Sequence, residues 1–562
     1  MDNIIQVLNR NKGLAFAYMA IGLFNAFMVN FKAHFFQRVI DSLTDQTLSL
    51  TELGCYGIIL LTSYSMNYAE EYPGKKLEHG IFLDFKLLAL QKISRIDYQE
   101  YQRIGTGKLI QRIENGANAG KGVVFDFWFR IIRELLPTIL FSIYFICRID
   151  QRTTLILLVG YVIIFIVTNL LLKFLYQIKE KILNNEEALN RFLVRGFTEM
   201  LVFRMARQFP HEAKKAAAAR KDIVASKTKM TMIHEAFFTI FALLVACLDI
   251  GILFYARQVQ SLSIGSVVTL ITLIDNAYTP IAIFNVLYVQ YKLDKTAYRR
   301  FEDFLNLKED DQLECGIRPK SFSGEICVRD LSFSYGERQV LNHVNLLIRK
   351  GEKIAFVGES GSGKSTLIKL LVGLLKYENG QIILDGHPLS QIALNALYSR
   401  ITYLSQDAPV FDGTIKENMV FDRDVPMKDL FMALDKVQLT SLIQSLPNGT
   451  DTPIGEKASS LSGGEKQRLA LSRIWFQNSD IVVLDEATSA LDNLTEEKVM
   501  NEVIAYLHDT TVIATAHRLD SIRGFDSIVV FKDGDIVGVG SFDELMESNS
   551  YFEKLYHAAL IQ

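Results

Sequence analysis

Gly358-Glu359-Ser360-Gly361-Ser362-Gly363-Lys364-Ser365-Thr366 decides the reading of this chain. An apolar run, Lys353–Val357, leads into it and a helical pattern, Leu367–Leu375, leads out. Strand, glycine loop and helix in that order are the context of a phosphate-gripping P-loop. The glycines let backbone N–H groups close around a phosphate, and the helix N-terminus adds its positive end. Lys364 is placed to neutralise β/γ oxygens, and the Ser365 hydroxyl to ligate Mg²⁺. Such a site needs a second half, an apolar strand ending in acid. Ile481–Leu484 followed by Asp485 and Glu486 supplies it. Asp485 is placed to hold Mg²⁺ through water, and Glu486 to polarise an attacking water as general base.

Outward from these motifs the chain changes character. Its 562 residues exceed one compact core. After about residue 300, short apolar strands are punctuated by glycine and charge; before it lie long uncharged apolar runs. With 60 basic and 63 acidic residues the formal charge is −3, which excludes a mainly electrostatic nucleic-acid binder. The five cysteines form no C-x-x-C pair, so a disulfide framework or zinc site is not expected. Cys55, Cys147 and Cys247 lie in or beside apolar runs and read as small buried hydrophobes.

Six runs are candidate transmembrane helices: Gly13–Phe31, Leu53–Ala69, Ile131–Cys147, Thr153–Leu172, Ala236–Ala256 and Ile264–Leu287. The third has Arg130, Arg133 and Glu134 at its start. Connections alternate between short and very long. The long ones, 70–130 and 173–235, read as helical stalks outside the bilayer. The second is rich in Lys and Arg and the first short loop is acidic, which places the long segments and both termini in the cytosol. Asp249 and Asp275 fall inside apolar runs. Each is a candidate substrate-pathway residue or a helix–helix hydrogen bonder; for Asp249 the second reading is preferred, since Arg257 follows two turns on.

Between the glycine loop and the acidic strand stands Leu461-Ser462-Gly463-Gly464-Glu465-Lys466-Gln467-Arg468. Here the chain closely resembles the ATP-binding-cassette (ABC) family, whose consensus usually has Gln where Glu465 stands. The resemblance implies an ATP site built from Tyr335, the loop Gly358–Thr366 and Ser462–Glu465. It implies Mg²⁺ held by Ser365, Gln406 and Asp485, and catalysis by Glu486 with His517 and Gln406. Ser489, Ala490, Leu491 and Asp492 match the dimer-contact loop. Thr452–Glu456 resembles the cross-linking loop of exporters, Gly105–Arg112 the first intracellular loop, and Glu199–Arg204 the coupling helix of the second.

The fold implied is a six-helix transmembrane domain with long cytosolic helical extensions, fused to an α/β P-loop ATPase domain. The expected organisation is a transmembrane domain at 1–307, a linker at 308–323 and a nucleotide-binding domain at 324–562. In this family ATP is sandwiched between the glycine loop of one cassette and the signature of another, so a second half-transporter, identical or related, is the expected partner, with the lipid bilayer. The resemblance implies an ATPase coupled to transmembrane movement of a solute, in the cell membrane, most simply an exporter of a small molecule, lipid or peptide. An importer of the same architecture, for instance for metal chelates, and an ATP-gated regulator or channel are the alternatives.

Overall fold

The computed structural model describes residues 2–163, 166, 178, 182, 185–186, 189, 192–193, 195–196, 199–259, 262–407, 409–455, 461–516 and 518–560. The chain divides into two compact units, one of Met1–Ser94 with Ile104–Leu307, the other of Arg95–Arg103 with Lys308–Gln562.

The first unit is helical. Its long helices span Lys12–Thr44, Leu50–Ile93, Phe209–Gln258 and Ile264–Leu305. Leu50–Ile93 starts at a capping box in which Ser49 and Glu52 satisfy each other's backbone N–H. Ile264–Leu305 starts at Ser263, whose hydroxyl accepts from Ser266 N. Pro73 and Pro280 lie inside these helices without ending them. The predicted third span lies in a longer helical run. Within it, Gly122–Phe129 and Ile131–Leu135 widen to π-helix before Leu136–Ile149 returns to α. The first, second, fifth and sixth apolar runs continue as helix well beyond bilayer length.

By length and composition, three helices among the described residues can cross a membrane: Lys12–Thr44, Phe209–Gln258 and Ile264–Leu305. Leu50–Ile93 carries Glu70, Glu71, Lys75 and Lys76 along its length, and the third run carries Arg130, Arg133 and Glu134, which dilutes their hydropathy. Of the predicted fourth span, Gln151–Ile163 is an apolar helix and most of the remainder lies outside the described residues. Two tyrosines lock the fourth segment to the sixth. Tyr278 OH donates to Leu157 O (2.8 Å) and Tyr161 OH to Ala277 O (2.8 Å). Gly160 is needed there, because a Cβ would stand 2.1 Å from the Tyr278 hydroxyl. Cys55, Cys147 and Cys247 are exposed, not buried as expected, because the helices of this unit turn apolar side chains outward.

The second unit has twelve strands among its described residues: β1 (Ile326–Tyr335), β2 (Arg338–Ile348), β3 (Lys353–Val357), β4 (Asn379–Leu384), β5 (His387–Pro388), β6 (Ile401–Leu404), β7 (Gly413–Thr414), β8 (Pro453–Ile454), β9 (Ile481–Asp485), β10 (Thr511–Thr515), β11 (Ser527–Lys532) and β12 (Asp535–Gly540). One sheet is antiparallel in the order β2-β1-β4-β5. The other runs β12-β11-β3-β10-β9-β6, parallel except at β12. Every residue of β3, β9 and β10 is buried, as continuous aliphatic runs in a covered parallel sheet should be. Functional loops gather at the carboxyl ends of such strands.

The segment Arg95–Arg103 belongs to this second unit, although its neighbours in sequence belong to the first. Asp97 N donates to Lys308 O (3.1 Å), Asp310 N to Arg95 O (2.8 Å), and Tyr98 packs on the apolar cluster between the two sheets. Gly105–Arg112, which resembles a first intracellular loop, belongs to the first unit.

Candidate nucleotide site

β3 is followed by Gly358, whose φ of 146° and 2.3 Å clearance from Phe531 O to a hypothetical Cβ admit only glycine. The loop turns back through Gly361 and Gly363 (φ 83° and 105°) into the helix Lys364–Leu371. Lys364 is buried, and its Nζ donates to the carbonyls of Gly358 (2.8 Å) and Glu359 (2.9 Å). Burial pushes its pKa down, while Glu486 and Asp485 pull the other way. Among the described residues it has no carboxylate within ion-pair distance, so its charge is held ready and not neutralised. Among the described residues the buried Ser362 Oγ has no hydrogen-bond partner.

At the ends of β9 and β10, Asp485 stands opposite Thr515 in register. Its Oδ1 accepts from Ser365 Oγ (3.0 Å) and Thr515 Oγ1 (3.1 Å), and its Oδ2 from Tyr403 OH (3.3 Å). Burial and the adjacent carboxylate hold the Tyr403 phenol above its ordinary pKa, so it stays a donor. A hydroxyl and a carboxylate this close are hard oxygen donors that fit Mg²⁺. Glu486 follows with φ of 54°, a left-handed conformation that costs a non-glycine residue about 1–3 kcal/mol. Its N–H donates to Thr515 Oγ1 (2.8 Å), which ties the strained turn to β10.

Ser462 caps the helix Gly463–Ser472, and Glu465 completes a capping box with it: Glu465 N to Ser462 Oγ at 3.3 Å, Ser462 N to Glu465 Oε2 at 2.7 Å. The departure from the usual Gln is thus absorbed by the cap. Gly464 lets the helix approach the loop Ser489–Asp492, since a Cβ would meet Ala490 O at 3.0 Å. Asp492 caps the next helix through Thr495 N (3.0 Å). Tyr335 is 44% exposed with its ring edge-on to Phe333 at 5.0 Å, so one face is open for stacking.

The sequence reading missed three tethers. Gln467 Nε2 donates to Ser489 Oγ (3.0 Å) and Gln406 O (3.4 Å), while its Oε1 accepts from Ala490 N (2.8 Å). One side chain therefore joins the helix Gly463–Ser472, the loop at Gln406 and the loop Ser489–Asp492. Buried Arg473 donates to Asn418 O and Pro409 O, both at 2.9 Å, and ties down the segment that follows Gln406. Arg518 holds Leu491 O (2.7 Å) and Glu496 (2.8 Å). Gln467 stood inside the quoted signature run, which was the available signal; Arg473 and Arg518 offered none. His517 and Glu456 lie outside the described residues. Asp249 and Asp275 line one cavity of about 260 Å³ with Tyr278 and Thr279, and Asp249 forms no ion pair with Arg257. They belong to the helical unit, not to this site.

Residues 341–489 match the family model described as ABC transporter. An uncharacterized ABC transporter ATP-binding protein of Bacillus subtilis, YwjA, is 28% identical over 90% of this chain and 89% of its own. The ATP-dependent lipid A-core flippase of Neisseria meningitidis serogroup B is 34% identical over 58% of this chain and 53% of its own. The mitochondrial iron-sulfur clusters transporter ATM1 of Debaryomyces hansenii is 35% identical over 53% of this chain and 44% of its own. The chain thus spans about half the length of these last two. A bacterial Atm1-family ABC exporter solved with ATP bound has the same fold, with a TM-score of 0.82 over 98% of both chains at 20% identity.

Proposed function

We propose that this chain, an ABC transporter with the exporter fold, is one half of a dimer that uses ATP to move a solute outward across the cell membrane. The observation that carries this reading is the Asp485 carboxylate, tied by Ser365, Thr515 and Tyr403 beside a strained Glu486. Nothing in a merely structural strand end calls for that outlay.

In this reading Gly358–Thr366 wraps the phosphates with backbone N–H groups, and Lys364 exchanges two carbonyl partners for β/γ oxygens. Tyr335 stacks on the base. Ser365, Asp485 and Gln406 hold Mg²⁺, which when bound offsets the charge on the phosphate oxygens. Glu486 takes the proton of the attacking water, oriented with His517. Ser462–Glu465 of one chain closes the site of the other, and Ser489–Asp492 meets its counterpart across the dimer. ATP prefers the closed pair, so binding closes and hydrolysis reopens it. The domain plan 1–307, 308–323 and 324–562, with both termini cytosolic, fits the basic segment after residue 173. The test is Glu486→Gln in the full chain. ATPase should fall about 10²–10⁴-fold while nucleotide still binds; undiminished turnover refutes the assigned base.

A further inference from the structure

The helical unit encloses a cavity of about 710 Å³ between Lys12–Thr44, Leu50–Ile93, the third run and Ile264–Leu305. That is the size of a small-molecule site. Its wall is built closely: a Cβ on Gly22 would meet the Arg133 stem at 1.9 Å, and one on Gly74 the Tyr18 ring at 2.8 Å. Arg133 in turn lies over the Tyr18 ring at 4.6 Å.

The charges of this wall can be followed pair by pair. Arg133 binds buried Glu70 and also Glu134 (2.8 Å), which Arg130 approaches at 3.4 Å. Lys75 binds Glu78 (3.0 Å); Lys121 reaches Glu78 and Asp126, both at 3.3 Å. Four carboxylates thus meet four cations, and the network is neutral.

The charged side chains that line the cavity are five carboxylates, Glu70, Glu71, Glu78, Asp126 and Glu134, and three cations, Lys75, Arg130 and Arg133. Glu71 lines the cavity, is exposed, and among the described residues makes no ion pair. Its neighbour one turn on, Lys75, is already engaged by Glu78. Asn25 Nδ2 is spent on Asn67 (2.5 Å) and Glu70 (3.0 Å), which leaves its buried Oδ1 without a donor. Arg133 Nε has no hydrogen-bond partner among the described residues and belongs to the guanidinium stacked on Tyr18. Thr279 also lines the smaller cavity that contains Asp249 and Asp275, neither of which is ion-paired among the described residues. Carboxylates therefore outnumber cations around the cavity, and Glu71 is the one left without an ion pair among the described residues.

We propose that this cavity takes a polar, cationic solute, one bearing a primary or secondary ammonium that Glu71 receives, and not an anion or a neutral hydrocarbon. This rests on the transporter reading above and names the substrate class for it. A charge-assisted contact at a carboxylate is the stronger kind of hydrogen bond and discriminates by sign.

The experiment uses the full chain in lipid nanodiscs and reads ATPase stimulation by lysyl-lysine amide, acetyl-alanyl-alanine amide and acetyl-glutamyl-glutamate. Only the cationic dipeptide should stimulate. Glu71→Gln should raise its half-saturating concentration about tenfold, Glu71→Asp should restore most of the response, and Asp275→Asn reads whether the smaller cavity shares the site. Stimulation by the anionic or neutral dipeptide, no response to the cationic one, or a response that Glu71→Gln leaves in place overturns the proposal. Loss of ATPase in Glu486→Gln is scored separately, so failure of the substrate class does not resemble failure of the transporter reading.

Discussion

Lys364 in the cassette and Arg133 in the helical unit are both cations removed from solvent, and they are compensated in opposite ways. Lys364 rests on two carbonyls at 2.8 and 2.9 Å, with no carboxylate in ion-pair distance among the described residues. Arg133 is neutralised by Glu70 and Glu134 and stacked on Tyr18. A cation supported only by dipoles keeps its charge for an arriving anion. A cation already paired contributes to holding helices together, and the charge left over in its cavity is that of its neighbours. The cassette is therefore poised for phosphate, the helical cavity for the opposite sign.

The comparison can be broken at several points. The largest effect is expected from Arg133→Met. Removing one partner strands Glu70, 7% exposed, as an unpaired charge and should cost about 3–5 kcal/mol in denaturant unfolding followed in detergent. The double variant Glu70→Gln with Arg133→Met should recover most of that. If the single and double variants are equally destabilised, the pair is not what binds these helices. Lys364→Ala should behave differently: unfolding little changed, and nucleotide affinity down about 10–150-fold by equilibrium binding, as for a lost charge-assisted contact. A large loss of stability there would make Lys364 a structural cation like Arg133. The smallest effect is at the signature. Ser462→Ala removes one side of the capping box and should lower cassette stability by about 1 kcal/mol in thermal unfolding. No change would mean that the cap is dispensable and that Ser462 serves nucleotide alone.

The cassette was readable in the sequence because its chemistry is contiguous. Gly358–Thr366, Ile481–Glu486 and Leu461–Arg468 each carry a complete local device, and the strand–loop–helix context follows from hydropathy alone. The tethers of Tyr403 and Thr515 to Asp485 were not readable, because the order of the parallel sheet alone brings those strands side by side. In the helical unit the apolar runs marked where helices are, but not where they end, since nothing in a helical stalk announces the bilayer surface. The charged network was least legible. Tyr18, Glu70 and Arg133 come from three helices, and in sequence Arg133 stood out only as one of the charges at the start of the third span. Asp249 and Asp275 stood out for the opposite reason, as isolated acids in apolar runs, and do share a cavity. The assignment of Arg95–Arg103 to the cassette unit had no signal, because a short polar helix reads alike wherever it docks.

The central claim, that two such chains close on ATP with the glycine loop of one against the signature of the other, has a direct measurement. Chains with native cysteines replaced by serine and carrying Glu486→Gln would be paired, one with Ser360→Cys and one with Ser462→Cys, and oxidised with and without MgATP. The account predicts that ATP raises the inter-chain disulfide yield about tenfold or more, as a ligand with strong preference for one state must. Equal yield in the two conditions, with ATP bound in both chains, would contradict it.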